Sequence, residues 1–229
     1  MKNVSILGCG WLGLALGSSM ADRGFNVKGS VTNPEKIELL KASKISPCLF
    51  NWSSQDIPSE FLDCDIMIMT IPPSTPNYKI NFINFINLLE NKRISKVFYT
   101  STSSVYPDNN GEVTEEDAEK IVSPHSGIAL LEIEDMLRNN DFFHSTIVRF
   151  SGLYGPGRLP GKFLAGKKNL SGANKPVNLI HREDCIEVII RLIEQNMWQE
   201  TFNACSDYHP TRKEFYQAAC LKQNLEPPT

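Results

Sequence analysis

Val4–Gly13, VSILGCGWLG, is the stretch from which the fold can be read. Val4, Ile6 and Leu7 form a short apolar run that meets Gly8, Gly10 and Gly13, after which Leu12, Ala15, Leu16 and Met20 recur at helical spacing until Gly24. The pattern is strand, glycine turn, helix. In such a turn Gly8 allows the sharp reversal, Gly10 lets backbone approach a pyrophosphate, and Gly13 lets the helix pack closely. The helix N-terminus adds the positive end of its dipole. G-x-G-x-x-G spacing is weak by itself, but between a leading strand and a helix it points to a bound dinucleotide. A purely structural glycine turn is the alternative.

Working outward, strand and helix signals alternate. Phe25 to Val31 reads as a second strand, and Asn33 with Pro34 behind it opens a helix running to about Lys44. A short strand falls near Cys48 to Asn51, and CDIMIMTIPP is an apolar run closed by prolines, as a buried parallel strand requires. Phe82, Phe85 and Leu89 with Ile80, Ile83 and Ile86 make a helix that is apolar around much of its surface. KVFYTSTSSVY returns to strand, Ser123 to Leu137 is an amphipathic helix, and STIVRF is a sixth strand. This alternation predicts an α/β fold with a doubly wound parallel sheet of Rossmann type.

Past Tyr154 the texture changes. GPGRLPGKFLAGKKNLSGANKP is rich in Gly, Pro and Lys and reads as loop. VNLIH, a helix from about Glu183 to Asn196, the strand TFNACS and a helix opened by the capping box TRKE follow. These pieces are too few for a second domain, so 1–229 is read as one domain in which about 153–229 contributes most of a small C-terminal lobe on the substrate side.

Composition excludes several function classes. With 41% hydrophobic and 21% charged residues the chain is globular, and a formal charge of −3 gives no reason to expect a nucleic-acid partner. Lys167-Lys168 is a short basic pair and reads as a solvated loop. The six cysteines are scattered without C-x-x-C or paired histidines, so neither a metal site nor a disulfide framework is indicated, and a reducing, cytoplasmic setting is the expectation. The N-terminal apolar run, which could pass for a signal peptide, fits a strand and helix better, and no other stretch suggests a membrane span.

The glycine motif, YTSTSSVY, RFSGLYGPGR and VNLIHREDC together resemble the extended branch of the short-chain dehydrogenase/reductase superfamily, its NAD-dependent epimerase/dehydratase group. The resemblance implies an NAD or NADP cofactor along Gly8, Gly10, Trp11, Leu12 and Gly13, past Ser30 and Thr32, and over Ile71, Pro72 and Thr100. It makes Thr102, three residues before Val105-Tyr106, the hydroxyl that polarises a substrate oxygen, and Tyr154 to Gly157 the lip of the site. Where an acidic residue would grip the adenosine ribose, the chain has Ser30, Thr32 and Asn33. NADP is therefore favoured slightly over NAD, although Ser30 and Thr32 could simply begin a turn.

The resemblance also implies a Tyr-x-x-x-Lys pair on the helix after the fifth strand. Anchored on Gly127 and Glu134, that helix has Ser126 at the tyrosine position and Leu130 at the lysine position. The phenol would donate and accept the proton and the ammonium would lower its pKa; serine is a far weaker acid and leucine does neither lysine job. This loss, with HSGIALLEIEDML, FLAGK and LEPP, narrows the resemblance to atypical YeeZ-like members, which normally continue beyond such a Pro-Pro. The candidate catalytic set is Thr102, Ser126 and His125, the last weighed against a capping role. Tyr106 and Tyr154 read as packing aromatics, and His181 as a structural residue of the small lobe.

Three functions fit: an oxidoreductase or epimerase-like enzyme on a small or nucleotide-linked substrate, a dinucleotide-binding redox sensor or scaffold without turnover, and a binder of another nucleotide or flavin. A homodimer through the Ile80 to Leu89 helix is compatible with its apolar character, as is a covered core face.

Overall fold

The computed structural model describes residues 2–229 other than Gln55, Asn91, 109–110 and 120–124, and for His125 and Ser126 it describes the backbone alone. The order of elements is β1 (Asn3–Leu7), α1 (Trp11–Asp22), β2 (Asn26–Val31), α2 (Ile37–Ala42), β3 (Ser46–Leu49), α3 (Ser59–Leu62), β4 (Ile66–Met69), α4 (Tyr78–Leu89) and β5 (Lys96–Thr102). Then come α5 (His125–Arg138), β6 (His144–Phe150), β7 (Gly152–Tyr154), α6 (Gly161–Leu164), β8 (Leu179–His181), α7 (Arg182–Glu194), β9 (Thr201–Ala204) and α8 (Arg212–Lys222).

Seven parallel strands form one sheet in the order β3-β2-β1-β4-β5-β6-β9. The order reverses between β1 and β4, and in such sheets the crevice beyond the strand ends at that reversal is the ligand site. Both faces are covered, which is why β4 is IMIM with every residue buried. One face packs Val4, Ile6, Ile68 and Val148 beneath α1 and α7, through Leu16, Met20, Ile186 and Ile189. The other packs Leu7, Met67, Val97 and Ile147 beneath α4 and α5, through Phe82, Ile86, Ile133 and Leu137.

Local chemistry sets the element ends. Asn33 Oδ1 accepts from the Glu35 amide at 2.9 Å and starts a 3-10 turn, Pro34–Lys36, that leads into α2. Thr211 and Glu214 close the expected capping box on α8, with Glu214 N to Thr211 Oγ1 at 3.2 Å and Thr211 N to Glu214 Oε2 at 3.0 Å. His181 Nδ1 accepts from the Glu183 amide at 3.3 Å and caps α7, the structural role its position suggested. On α4 the face holding Phe82, Phe85, Ile86 and Leu89 is buried against the sheet, whereas Ile80 turns outward at 62% exposure.

The tail divides differently from the expected lobe. β9 pairs with β6 and α7 packs beside α1, so both belong to the main sheet layers. The separate small layer is the parallel pair β7–β8 with α6 against α8. The Gly-Pro-Lys stretch is also not all loop, because Gly161–Leu164 forms a helical turn against α8. A Cβ at Gly161 would come within 2.8 Å of the Ala219 carbonyl oxygen, so glycine is what lets the two helices meet. Among the described residues no helix is long and apolar enough to cross a membrane, no cluster of side chains could hold a metal ion, and all six cysteines are free.

Candidate functional site

The sheet reversal opens a cleft of about 710 Å³ at the carboxyl ends of the strands, within the usual size range of small-molecule and cofactor sites. Gly8, Gly10, Trp11, Leu12, Ser30, Thr32, Ile71, Pro72, Thr100 and Thr102 all line it, so the residues expected from scattered parts of the sequence converge. Gly13 does not line the cleft. A Cβ there would lie 2.4 Å from the Gly8 carbonyl oxygen and 2.7 Å from Thr70 Oγ1, so its role is close packing of α1 on the turn. Gly8 has φ +96°, and a Cβ on it would reach 2.8 Å from the Ile71 side chain. At Gly10 an added Cβ meets nothing within 4 Å: the space beside it is open to the cleft.

Gly10 is the N-cap of α1, which has no acidic side chain in its first turn. Its first amides have no partners within the helix, and its dipole end is not neutralised by a side chain. The open cradle and these donors fit a pyrophosphate. Ser30 contributes indirectly, since its hydroxyl accepts from the Gly8 amide at 2.8 Å and fixes the turn. Thr70 Oγ1 donates to the Gly8 carbonyl at 2.8 Å from the opposite side.

The charged groups lining the cleft are Lys36 and Arg158, and no carboxylate does so among the described residues. Neither cation forms an ion pair with a described residue. Lys36 was legible in NPEK only as a helix-start residue; the turn through Pro34 is what brings it to the cleft beyond β2.

At the other end, Thr102 Oγ1 accepts from the Ser104 amide at 3.2 Å, which leaves its proton for a ligand oxygen. Thr100 donates to the Met69 carbonyl at 3.0 Å. Ser151 also lines this end, and its hydroxyl is buried without a hydrogen-bond partner. A buried hydroxyl without a protein partner is rare, and a water or a ligand atom in the cleft would satisfy it. It escaped the sequence reading because RFSGLYGPG offers no sign of which serine is deprived of partners.

Beneath Thr102 lies a network the sequence did not reveal. Glu134, fully buried, accepts from Ser101 Oγ at 2.6 Å, Arg149 Nη2 at 2.6 Å and Arg138 Nη2 at 2.6 Å. Arg149 also donates to Tyr106 Oη at 2.7 Å and the Glu115 carbonyl at 2.8 Å, and Tyr106 donates to Asn203 Oδ1 at 2.7 Å. Burial pulls the Arg149 guanidinium down, but the bonds and charge of Glu134 outweigh it and hold Arg149 above its ordinary value. The network clamps β5, β6 and α5 together directly behind the Thr102 strand end.

No phenol or imidazole lines the cleft among the described residues. Tyr99 is fully buried and bonded to Tyr78 at 3.0 Å, and burial drives its phenol far up. Tyr106 is committed to Arg149 and Asn203, and Tyr154 packs edge-on to His181 with ring centroids 5.1 Å apart. Cys9 is no nucleophile either, because burial, then the neighbouring Cys48, pushes its thiol up to about 12. Leu130 is 2% exposed and part of the core. The side chains of His125 and Ser126 lie outside the described residues, so their catalytic assignment receives no geometry.

Fold and cleft together define a dinucleotide-binding Rossmann protein. Residues 8–196 match the family model described as NAD(P)H-binding. Protein YeeZ of Escherichia coli (strain K12) is 35% identical over 238 residues, covering 100% of this chain and 86% of that protein. The chain belongs to this NAD(P)H-binding family, in the atypical YeeZ-like branch of the short-chain dehydrogenases/reductases. In fold it is similar to a functionally unknown conserved protein from Silicibacter pomeroyi DSS (TM-score 0.80, 22% identity, 100% of this chain and 81% of that one). It also resembles the UDP-N-acetylglucosamine 4-epimerase from Bacillus cereus (TM-score 0.76, 16% identity, 95% and 80%). The vestitone reductase from alfalfa is similar as well (TM-score 0.77, 17% identity, 99% and 84%).

Two outcomes test this geometry. Gly10→Val should abolish dinucleotide binding in a calorimetric titration while lowering the unfolding midpoint only by the modest cost of a poorer N-cap, whereas Gly13→Ala should lower the midpoint more and weaken binding with it. Equal behaviour of the two variants contradicts the division of roles. Glu134→Ala should cost about 3–5 kcal/mol in urea denaturation because it strands Arg149, and Glu134→Leu combined with Arg149→Met should cost clearly less.

Proposed function

We propose that the chain is an NADP(H)-dependent oxidoreductase or epimerase-like enzyme acting on a small or nucleotide-linked substrate. The observation that carries the reading is one continuous cleft with an open glycine turn and helix N-terminus at one end, and Thr102 with the orphan Ser151 hydroxyl at the other. A nicotinamide dinucleotide supplies reversible hydride transfer; the protein's part is to bind, orient and polarise. Gly8, Gly10 and the first amides of α1 would hold the diphosphate. Lys36, facing no carboxylate, would attract a ribose 2′-phosphate, which supports NADP over NAD. Thr102 would donate its proton to the substrate oxygen, and Ser151 would bond either the substrate or the carboxamide. Ser126, at the start of α5, is assigned to the same site on the resemblance alone.

A specific observation favours the second reading, a dinucleotide-binding sensor: Leu130 is sealed in the core where the catalytic lysine of the superfamily stands. Fluorescence titration followed by a carbonyl and nucleotide-sugar panel separates the two. NADPH should bind roughly tenfold tighter than NADH, as one charge-assisted contact allows, and Lys36→Ala should remove the difference. Thr102→Val should abolish substrate-dependent NADPH oxidation with cofactor affinity unchanged. Tight binding with no turnover of any substrate contradicts the enzymatic reading and supports the sensor.

A further inference from the structure

The cleft is roofed on one side by a turn from the small layer, and this turn is joined to the glycine loop. Gly155-Pro156-Gly157-Arg158 closes on itself, with Arg158 N to Gly155 O at 2.9 Å and Gly157 at φ +75°. Proline at the second place and a glycine with positive φ at the third are what a type II turn demands, so the turn is set by its own sequence. Pro156 O accepts from Trp11 Nε1 at 2.7 Å. A Cβ at Gly155 would lie 3.3 Å from Trp11 Cζ2, so the turn and the indole are in close approach. The indole belongs to the first residue of α1, immediately after Gly10.

Two guanidinium groups lie over this indole, Arg158 at 5.6 Å and Arg182 at 5.3 Å from the ring centroid. Arg182 has a counter-charge in Glu183 at 2.9 Å. Arg158 has none among the described residues, and it lines the cleft together with Gly8, Gly10 and Trp11. The exposed Arg158 thus shares the cleft with the N-terminus of α1, the positive end of a helix that carries no acid in its first turn. An anion in the cleft between them would be favoured by both.

We propose that Arg158 is a diphosphate-binding residue, contributed by the small layer and held by Trp11 over the glycine loop, so that both layers grip one ligand. The proposal rests on the dinucleotide reading of the cleft. The diphosphate is preferred to a phosphate on the substrate because the ring that positions Arg158 is the one that begins α1, not a group near Thr102. Arginine suits the task because its planar group can stack on the indole and still direct a fork of donors at phosphate oxygens.

The test is isothermal titration of the full chain and of Arg158→Ala and Arg158→Lys with NADPH, ADP-ribose and adenosine 2′-monophosphate. Arg158→Ala should weaken NADPH and ADP-ribose, which carry the diphosphate, by roughly 10- to 100-fold, the range of a charge-assisted contact. Adenosine 2′-monophosphate, which lacks it, should bind the variant as it binds the parent chain, and this also shows that the variant is folded. Arg158→Lys should fall between the two. Unchanged ADP-ribose affinity in Arg158→Ala overturns the proposal alone, as does an equal loss for all three ligands. Failure of the parent chain to bind NADPH or ADP-ribose overturns the dinucleotide reading together with it.

Discussion

The arrangement depends on one crowded point, the Gly8 carbonyl. Thr70 donates to it from the end of β4, and Gly13 of α1 sits so close that no Cβ fits between. Ser30, from β2, takes the Gly8 amide on the other side. Three neighbouring strands and the first helix are thereby tied to one turn at the place where the strand order reverses. Only because that turn is held by side groups does Gly10 face open space, and the space beside Gly10 is what a diphosphate requires. Pre-organisation of this kind spares the ligand the cost of ordering the loop.

A second constraint lies behind Thr102. The buried Glu134 pairs with Arg149 and Arg138 and accepts the hydrogen bond of the Ser101 hydroxyl, so its place on α5 is held by polar partners. Leu130 and Glu134, one helical turn apart on α5, answer to different neighbours. Leu130 packs in the layer under α5, and Glu134 is the counter-charge of the buried Arg149, whereas Arg138 also pairs with Asp135 at 2.9 Å. The helix therefore carries a core contact and a buried ion pair behind the end of the Thr102 strand.

The strands and the glycine turn were legible because each rests on local periodicity or a short motif, whereas the convergence of Ser30, Ile71, Thr100 and Thr102 on Gly8 was legible only through the family resemblance. The small layer was legible only in outline: TFNACS reads as a strand, but nothing local says that it pairs with STIVRF rather than with VNLIH. Lys36, Arg158, Ser151 and the Glu134 network were not legible as site features. Their significance comes from which partners they lack or share across long stretches of chain, as in Trp11 and Pro156 or Ser101 and Glu134. Hydrophobic spacing carries no record of such pairings.

In the proposed function the Gly10 cradle holds the diphosphate of NADP(H) and the cleft directs the rest of the ligand from Lys36 toward Thr102. A crystal structure of the chain soaked with NADPH tests it most directly. Density is expected for the diphosphate against Gly10 and the first amides of α1, for the 2′-phosphate at Lys36 and for the nicotinamide at the Thr102–Ser151 end. Diphosphate density away from the glycine turn, or a ligand running in the opposite sense, would contradict it.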